Sequence, residues 1–359
     1  MILVGSLLMY LAIAKNFEPN LLLAMGFGAI LANIPMSSAI DQFVDGQEME
    51  GALSLLFNAG VGNELFPLLI FIAVGAMCDF SPLISNPRMF VFGITAQAGI
   101  FITMGLAFYM GFSLKEAASI GIIGAADGPT AIYVANRFAK NLFAPISVAA
   151  YTYMAMVPII QPPVIKLLTT KKERAMKMVY VEKPVSRRTL LLFPIAVTAV
   201  AGFIAPASVA LIGFLMFGNL LRVSGVTDRL SQAAQNELAN IVTILLGLAI
   251  SRKMTGPEFV NPTTLLIIGM GLFAFVFDTV GGVLSAKALN IFLPDGKKFN
   301  PIVGAAGISA FPMASRVAQR LGQEADRDNY LLMHAVGANV AGQIGSVIAG
   351  GVLLAWLGG

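Results

Sequence analysis

Apolar runs follow one another along nearly the whole chain, at 2–14, 21–40, 65–79, 89–112, 117–135, 142–165, 189–203, 207–221, 238–250, 263–285, 302–315 and 330–357. A water-soluble fold needs a polar face on each surface element, and these runs leave little room for one. Of 359 residues, 57% are hydrophobic and 12% charged, against about 25% charged in a typical soluble domain. Mean hydropathy is +0.82. The pattern predicts an all-α polytopic membrane protein. Several runs fall short of the roughly 20 residues a spanning helix needs. The 36 Gly and 18 Pro are spread through the apolar stretches. Broken or re-entrant helices are therefore expected, with about ten membrane elements in all.

An internal repeat divides the chain. Asn63-Glu64-Leu65 returns as Asn236-Glu237-Leu238, Asn86-Pro87 as Asn261-Pro262, and Gly124-Ala125-Ala126 as Gly304-Ala305-Ala306. Thr130-Ala131 pairs with Ser309-Ala310, and Ala135-Asn136-Arg137 with Ala314-Ser315-Arg316. Residues 1–165 read as a first membrane repeat and 189–359 as a second. Between them, 166–188 carries Lys166, Lys171, Lys172, Arg174, Lys177, Lys183, Arg187 and Arg188 against Glu173 and Glu182. That basic stretch predicts a cytoplasmic loop under the positive-inside rule, or a docking surface for an acidic partner. If each half crosses an odd number of times, the halves are inverted, as in many secondary transporters. Met1–Ala14 is apolar from its first residue and does not read as a cleavable signal peptide. Asp41–Glu50, with four acids, reads as an extramembrane loop, and Lys287–Asn300 as a turn.

One aspartate stands out. Asp127 lies in Gly121-Ile-Ile-Gly-Ala-Ala-Asp-Gly-Pro-Thr130 with apolar residues on both sides. A carboxylate near the bilayer centre costs about 2.5–3.5 kcal/mol on insertion scales, so it needs a partner or a task. Gly128-Pro129 should break the helix and free backbone groups that, with the carboxylate, suit Na+ or a proton. Asp127 could also simply cap the half-helix that Pro129 opens. The matching segment is broken at Gly307 and Pro312. It offers Asn300 and Ser309 as neutral oxygen ligands, and Arg316 either as a helix-end cation or as a clamp for a carboxylate. Tyr151 and Tyr153 precede a Pro-broken run and are interface anchors, or groups that position a ligand or donate a proton. Asp278 is a third apparently buried acid, open to a cation or a basic partner. Thr130, Asn339 and Ser346 are further polar candidates, packing residues in the bland reading. One Cys and one His exclude a disulfide framework and a multi-His metal site. Phosphate-binding loops, nucleophile elbows and dinucleotide fingerprints are absent. The localised basic charge does not read as a nucleic-acid surface.

Four strings carry a family resemblance: Asn63-Glu-Leu-Phe-Pro-Leu-Leu-Ile-Phe-Ile-Ala-Val-Gly-Ala-Met77, Gly124-Ala-Ala-Asp-Gly-Pro-Thr130, Tyr153-Met-Ala-Met-Val-Pro-Ile-Ile-Gln-Pro-Pro163, and Gly304-Ala-Ala-Gly-Ile-Ser-Ala-Phe-Pro-Met-Ala-Ser-Arg-Val-Ala-Gln319. Over essentially its whole length the chain resembles the β subunits of the sodium-translocating biotin-dependent decarboxylases. The resemblance implies a subunit in the inner, cytoplasmic membrane of a prokaryotic-type cell. It would decarboxylate carboxybiotin on a partner carrier, consume a proton and export Na+, with no covalent cofactor of its own. Implied partners are the biotin carrier and carboxyltransferase α subunit, a small membrane γ subunit and further copies of the chain, as in a trimer. By the same resemblance Asp127 binds Na+ and Tyr153 takes part. Asn300, Gly304, Ser309 and Arg316 occupy the second motif, with Arg316 also the candidate to hold the carboxylate of carboxybiotin. Ala125 stands where glycine is usual, Asp278 where some members carry a small residue, and Gln343 follows Asn339 in Asn-Val-Ala-Gly-Gln; the last two departures bear on ion coupling. The competing reading is a sodium-coupled secondary transporter of an organic anion.

Overall fold

The computed structural model describes residues 1–16, 19–44, 47–179, 184–294 and 296–358. Asp45 of the acidic loop, Glu182 and Lys183 of the basic stretch, and Asp295 of the expected turn lie outside them.

Among the described residues, seven helices are long and apolar enough to cross a membrane: Pro87–Tyr109, Lys140–Leu168, Arg187–Ile204, Pro206–Val223, Asp228–Ser251, Pro262–Phe292 and Leu332–Leu357. Ala52–Val61 and Leu65–Met77, bent by 60° at a short break, form a broken span or a re-entrant loop, an eighth span if the pair crosses as one. Ile2–Lys15 and Pro19–Ala32 are apolar but only 14 residues each, about 21 Å at 1.5 Å per residue. Ten crossings are reached when these two short helices are counted.

One expectation needs correction. Helix Pro262–Phe292 runs well past residue 285 into the stretch expected to be a turn. Lys287 does not stop it, because its amine reaches the Leu168 carbonyl at 2.9 Å and Glu173 at 2.9 Å while its stem stays along the helix. The acidic loop contains an antiparallel ribbon, Gln42–Val44 against Gln47–Met49.

Element order in 187–357 follows that in 2–168. Each half has two helices, a helix carrying one π-helical turn, a long helix, two short helices with unwound residues between them, and a long last helix. The π-turns, Phe57–Val61 and Ala234–Leu238, sit at matching places. The repeated tripeptide Asn-Glu-Leu nonetheless takes two shapes. Asn63-Glu64 forms the 60° bend, with Glu64 at φ 68°, whereas Asn236-Glu237 lies in the unbroken Asp228–Ser251 helix. Packing between halves is reciprocal: Pro19–Ala32 lies on Ala239–Ser251, and Val209–Val223 on Leu65–Met77. The second crossing is very close. A Cβ on Gly75 would stand 1.8 Å from the Leu215 carbonyl oxygen, and one on Gly218 would stand 2.0 Å from that of Ile72. Small residues at a crossing let backbones touch where lipid offers no hydrophobic drive.

The interrupted pairs are hairpins. In the first, Leu114–Gly121 leads through a tight turn, Ile122–Ala125, to Gly128–Phe138. Its two ends are tied by Asn141 donating to Glu116 at 2.8 Å. In the second, Pro301–Ala305 and Met313–Ala325 flank residues 306–312, with a cis Phe311-Pro312 bond. Asn300 and Asn329, before and after that hairpin, both donate to the carbonyls of Arg174 and Met176, at 2.8–3.3 Å. Each pair therefore starts and ends at one place. Asn261, at the start of Pro262–Phe292, shares a depression with Glu116 and Asn141. Asn290, near that helix's other end, exchanges hydrogen bonds with Phe299. The hairpins thus enter from opposite ends of one helix, and their tips meet. Both the backbone N–H and the hydroxyl of Ser309 donate to the Ala125 carbonyl, at 3.2 and 2.6 Å.

Candidate functional site

The first tip is built by a chain that cannot stay helical. Ala126 takes a left-handed conformation, φ 52°, and Asp127 an extended one, φ −126°. A new helix starts at Gly128, with Pro129 in its first turn, where a missing N–H leaves nothing unsatisfied. Gly128 is required by its neighbour, since a Cβ there would lie 2.3 Å from the Tyr151 ring.

Asp127 is 5% exposed. Its Oδ1 accepts from the Thr130 N–H at 3.5 Å. Its Oδ2 accepts from the Thr130 hydroxyl at 2.6 Å and from the Ser346 hydroxyl at 2.9 Å. The capping role is therefore real, and it is charge-assisted. A cap needs one oxygen, however, and this carboxylate has no cationic partner among the described residues. Hydroxyls and free helix-end amides lower the cost of the charge without neutralising it, which leaves it suited to a small cation.

The second tip is held by carboxamides. Gln161 donates to the Ala305 carbonyl at 2.8 Å, Gln97 to Gly93 at 3.1 Å and to Gly307 at 3.5 Å, and Asn339 to Ile308 at 2.7 Å; Gln343 donates to Ser309. A carbonyl can only accept, so each amide nitrogen must face the tip. This leaves Gln97 Oε1, Gln161 Oε1 and Asn339 Oδ1 buried without partners. Buried, neutral oxygens with no donor are the ligand type a hard monovalent cation takes. Among the described residues no three His, Cys, Asp or Glu side chains converge, so the donor set is one of oxygens and backbone carbonyls.

The expected site residues are not all together. Asp127, Thr130 and Ser309 meet at the joined tips, and Asn339 stands beside them through Ile308. Asn300 caps Pro301–Ala305 and ties down the base of the second hairpin through Arg174 and Met176. Gly304 lets that hairpin touch Gly282, whose carbonyl oxygen would stand 2.1 Å from an added Cβ. Tyr153 donates its hydroxyl to the Ile268 carbonyl at 2.5 Å, and its ring lies against Gly271. Of the two tyrosines, it is Tyr151 that touches the Asp127 segment. Arg316 is exposed on Met313–Ala325, beside a depression of about 510 Å³ with Gln319, Arg320, Gln323 and Glu324. Asp278 is fully buried against the first tip.

Sequence reasoning gave no role to Gln97 or Gln161, marked Gln343 only as a departure from the family pattern, and did not find the bond from Ser346 to Asp127. The only signal for the glutamines was a polar side chain inside an apolar run. Arg137 also went unassigned, and it forms a bidentate pair with Glu64 at 2.7 and 2.9 Å.

A family model described as "Na+-transporting oxaloacetate decarboxylase beta subunit" matches residues 1–357. The chain belongs to this family. It is 50% identical to the methylmalonyl-CoA decarboxylase subunit beta of Veillonella parvula, covering 99% of this chain and 92% of that one. It is 48% identical to the glutaconyl-CoA decarboxylase subunit beta of Acidaminococcus fermentans, covering 100% and 93%. The oxaloacetate decarboxylase beta chain of Klebsiella pneumoniae is 44% identical over 99% and 94%. The chain is therefore a membrane component of the sodium-transporting decarboxylase type, a polytopic protein built almost entirely of helices and belonging to multi-subunit complexes.

Proposed function

We propose that this subunit releases CO2 from carboxybiotin presented by a carrier domain, and couples that release and the uptake of one proton to the export of Na+. The chemistry balances simply. The N–CO2− bond breaks, CO2 leaves, and the electron pair left on the ureido nitrogen takes a proton. The observation that carries the reading is Asp127, a buried carboxylate without a cationic partner among the described residues, at a helix break where the tips of two opposed hairpins meet.

The two halves act as inverted repeats in this reading, with 1–165 and 189–359 on either side of the basic loop 166–188. Five crossings and one hairpin in each half give the odd number that inversion needs. Arg174 and Met176 of the basic loop lie at the base of the second hairpin, so by the positive-inside rule that hairpin opens to the cytoplasm of a prokaryotic cell and the first opens outward. Arg316 then stands on the cytoplasmic side, exposed, where a planar guanidinium can hold the carboxylate of incoming carboxybiotin. Na+ is held between Asp127, Thr130 and Ser309 with carbonyls of the two tips. Asn300 and Gly304 shape the second hairpin, and Tyr153 braces the long helix behind the site. Moving one Na+ against 100 mV takes about 2.3 kcal/mol, to be drawn from decarboxylation. A biotin carrier, a carboxyltransferase α subunit, a small γ subunit and further copies of the chain complete the assembly.

The test is CO2 release from carboxylated biotin carrier by the purified complex, with and without Na+, for wild type and Asp127→Asn. Na+-stimulated release that disappears in the variant supports the reading. Absence of release with folded protein and all subunits present refutes it and leaves Na+-dependent organic-anion uptake as the next assay.

A further inference from the structure

Arg316 and Arg320 stand one turn apart on Met313–Ala325 and line one depression with Gln319, Gln323, Glu324 and Leu332. Its polar side chains divide into committed and uncommitted ones. Arg320 donates to the Pro158 carbonyl at 2.9 Å. That carbonyl needs an outside donor, because Pro162, four residues on in the same helix, has no N–H to give it. Gln319 is occupied at both ends. Its Oε1 accepts from the Leu331 and Leu332 N–H groups, each at 2.7 Å, and its Nε2 donates to the Asn329 carbonyl at 3.3 Å. Arg320 and Gln319 therefore fasten Met313–Ala325 to its neighbours.

Glu324 is the acid that lines the depression, and unheld it would compete with an anionic ligand for the arginines. Lys166, near the end of Lys140–Leu168, holds its Oε2 at 2.8 Å, whereas Arg320 Nε is 3.9 Å from its Oε1. The side chains of Arg316 and Gln323 are exposed and make no hydrogen bond or ion pair among the described residues. Seven residues apart, they share one helix face, about 10.5 Å from each other along the axis. Leu332, 40% exposed, borders the same depression. The uncommitted set is thus a guanidinium, a carboxamide and an apolar side chain. A guanidinium suits a carboxylate, and a carboxamide can donate to a carbonyl and accept from an N–H at once. Together they match a neutral cyclic urea that carries one carboxylate.

We propose that this depression seats the carboxylated ureido ring of biotin, with Gln323 paired to the ureido group and Leu332 against the ring, and that Lys166 is a positioning residue that holds the charge of Glu324 away from Arg316. This rests on the reading of Arg316 as the holder of the carboxylate and extends it to the rest of the ligand. Gln323 and Leu332 bind the ring before and after CO2 leaves, whereas Arg316 binds it only before. Loss of CO2 therefore removes the charged contact and leaves a more weakly held product, free to depart with its carrier. The retained acid at the rim disfavours polyanions, which would meet Glu324 as well as Arg316.

The test uses the purified complex and follows CO2 release against the concentration of carboxylated carrier. Gln323→Ala should raise KM about fivefold, as expected for the loss of one or two neutral hydrogen bonds, with kcat within about twofold of wild type. Lys166→Met should raise KM about threefold, and Glu324→Gln should lower it about twofold. The double variant should behave as Glu324→Gln alone, and these charge effects should shrink in high salt. A pair that only fastens two helices predicts a different pattern, with both single variants impaired alike. That pattern, or a wild-type KM in Gln323→Ala, overturns the proposal. Calorimetric titration with free biotin reads the seat without turnover. Gln323→Ala should bind it about fivefold more weakly, and equal affinity in the two complexes overturns the proposal; the transferase subunit is the same in both, so the difference belongs to this chain. Wild type that binds free biotin through Gln323 yet releases no CO2 refutes the decarboxylation reading alone.

Discussion

The crossing of Leu65–Met77 and Val209–Val223 should fail measurably when one hydrogen is replaced by a methyl group. In Gly218→Ala the new Cβ would start 2.0 Å from the Ile72 carbonyl oxygen, whereas real Cβ atoms do not come within 3.0 Å of such atoms. Both contacts are backbone, so neither helix can yield by rotating a side chain, and the axes must separate by at least about 1 Å. Overpacking of this kind costs about 1–3 kcal/mol. Loss of the glycine Cα–H contact to the carbonyl adds about 0.5–1 kcal/mol. A total near 1.5–4 kcal/mol corresponds to a roughly 13- to 900-fold larger open population. The protein supplies its own reporter. Cys78, the single cysteine, is fully buried at the end of Leu65–Met77, and its carbonyl accepts from Asn219 at 3.0 Å. When reclosing is fast, the labelling rate of its thiol follows the opening equilibrium. Gly218→Ala should therefore label tens to hundreds of times faster and melt earlier. Gly105→Ala is the control, since nothing lies within 4 Å of a Cβ there; it should label at the wild-type rate and be slightly stabilised. Labelling of Gly218→Ala within threefold of wild type would refute the backbone-contact argument.

Other predictions concern the polar contacts. Ser309→Ala removes the hydroxyl that joins the two tips at 2.6 Å; a loss of about 0.5–1.5 kcal/mol should weaken Na+ binding by roughly 2- to 12-fold, read by isothermal titration. The Asp41 carboxyl, in the loop outside the spans, is pushed upward by burial, but hydrogen bonds from Ser54, Arg252 and the Gly51 amide and the charge of Arg252 outweigh this and hold it at about 2. Its folded value lies below the unfolded one, so its stabilisation is fully present above about pH 4 and lost as pH falls through 2; Asp41→Asn should lower the melting temperature at pH 7, and by much less at pH 2, where only about half of the wild-type carboxyls remain ionised. A double-mutant cycle on Arg137 and Glu64, a bidentate pair whose arginine is half-exposed and whose glutamate is mostly buried, should give a coupling of about 0.5–1 kcal/mol by thermal or denaturant unfolding, and near-zero coupling would show that the bend at Glu64 holds without it.

Much of the site was legible because the physics of a membrane makes exceptions conspicuous. Asp127 announced itself as a charge inside an apolar run, and Gly128-Pro129 announced the break. The repeat pointed to the second break at Gly307 and Pro312. What stayed hidden depended on partners far along the chain. Ser346 meets Asp127 across 219 residues, and Gln161 meets Ala305 across 144. Nothing local distinguishes such residues from ordinary packing polar groups. Asn300 illustrates the converse: its place in the repeat suggested a ligand, while its amide is committed to the loop carbonyls of Arg174 and Met176. The length of Pro262–Phe292 was missed because a lysine inside an apolar run resembles a boundary until the acceptor for its amine is known.

The two shapes of Asn-Glu-Leu have a consequence for how the protein stores conformational information. At 63–65 the tripeptide turns a corner; at 236–238 it runs straight. Identical side chains cannot prefer both, so the choice is written in the surroundings: Gly62 and Pro67 on either side of the corner, and Arg137 reaching across to Glu64. Glu237 is exposed and makes no ion pair among the described residues. One chain thus displays a hinge in its folded and its unfolded setting at once, and the free-energy gap between the settings is set by a few neighbouring groups, not by the hinge itself.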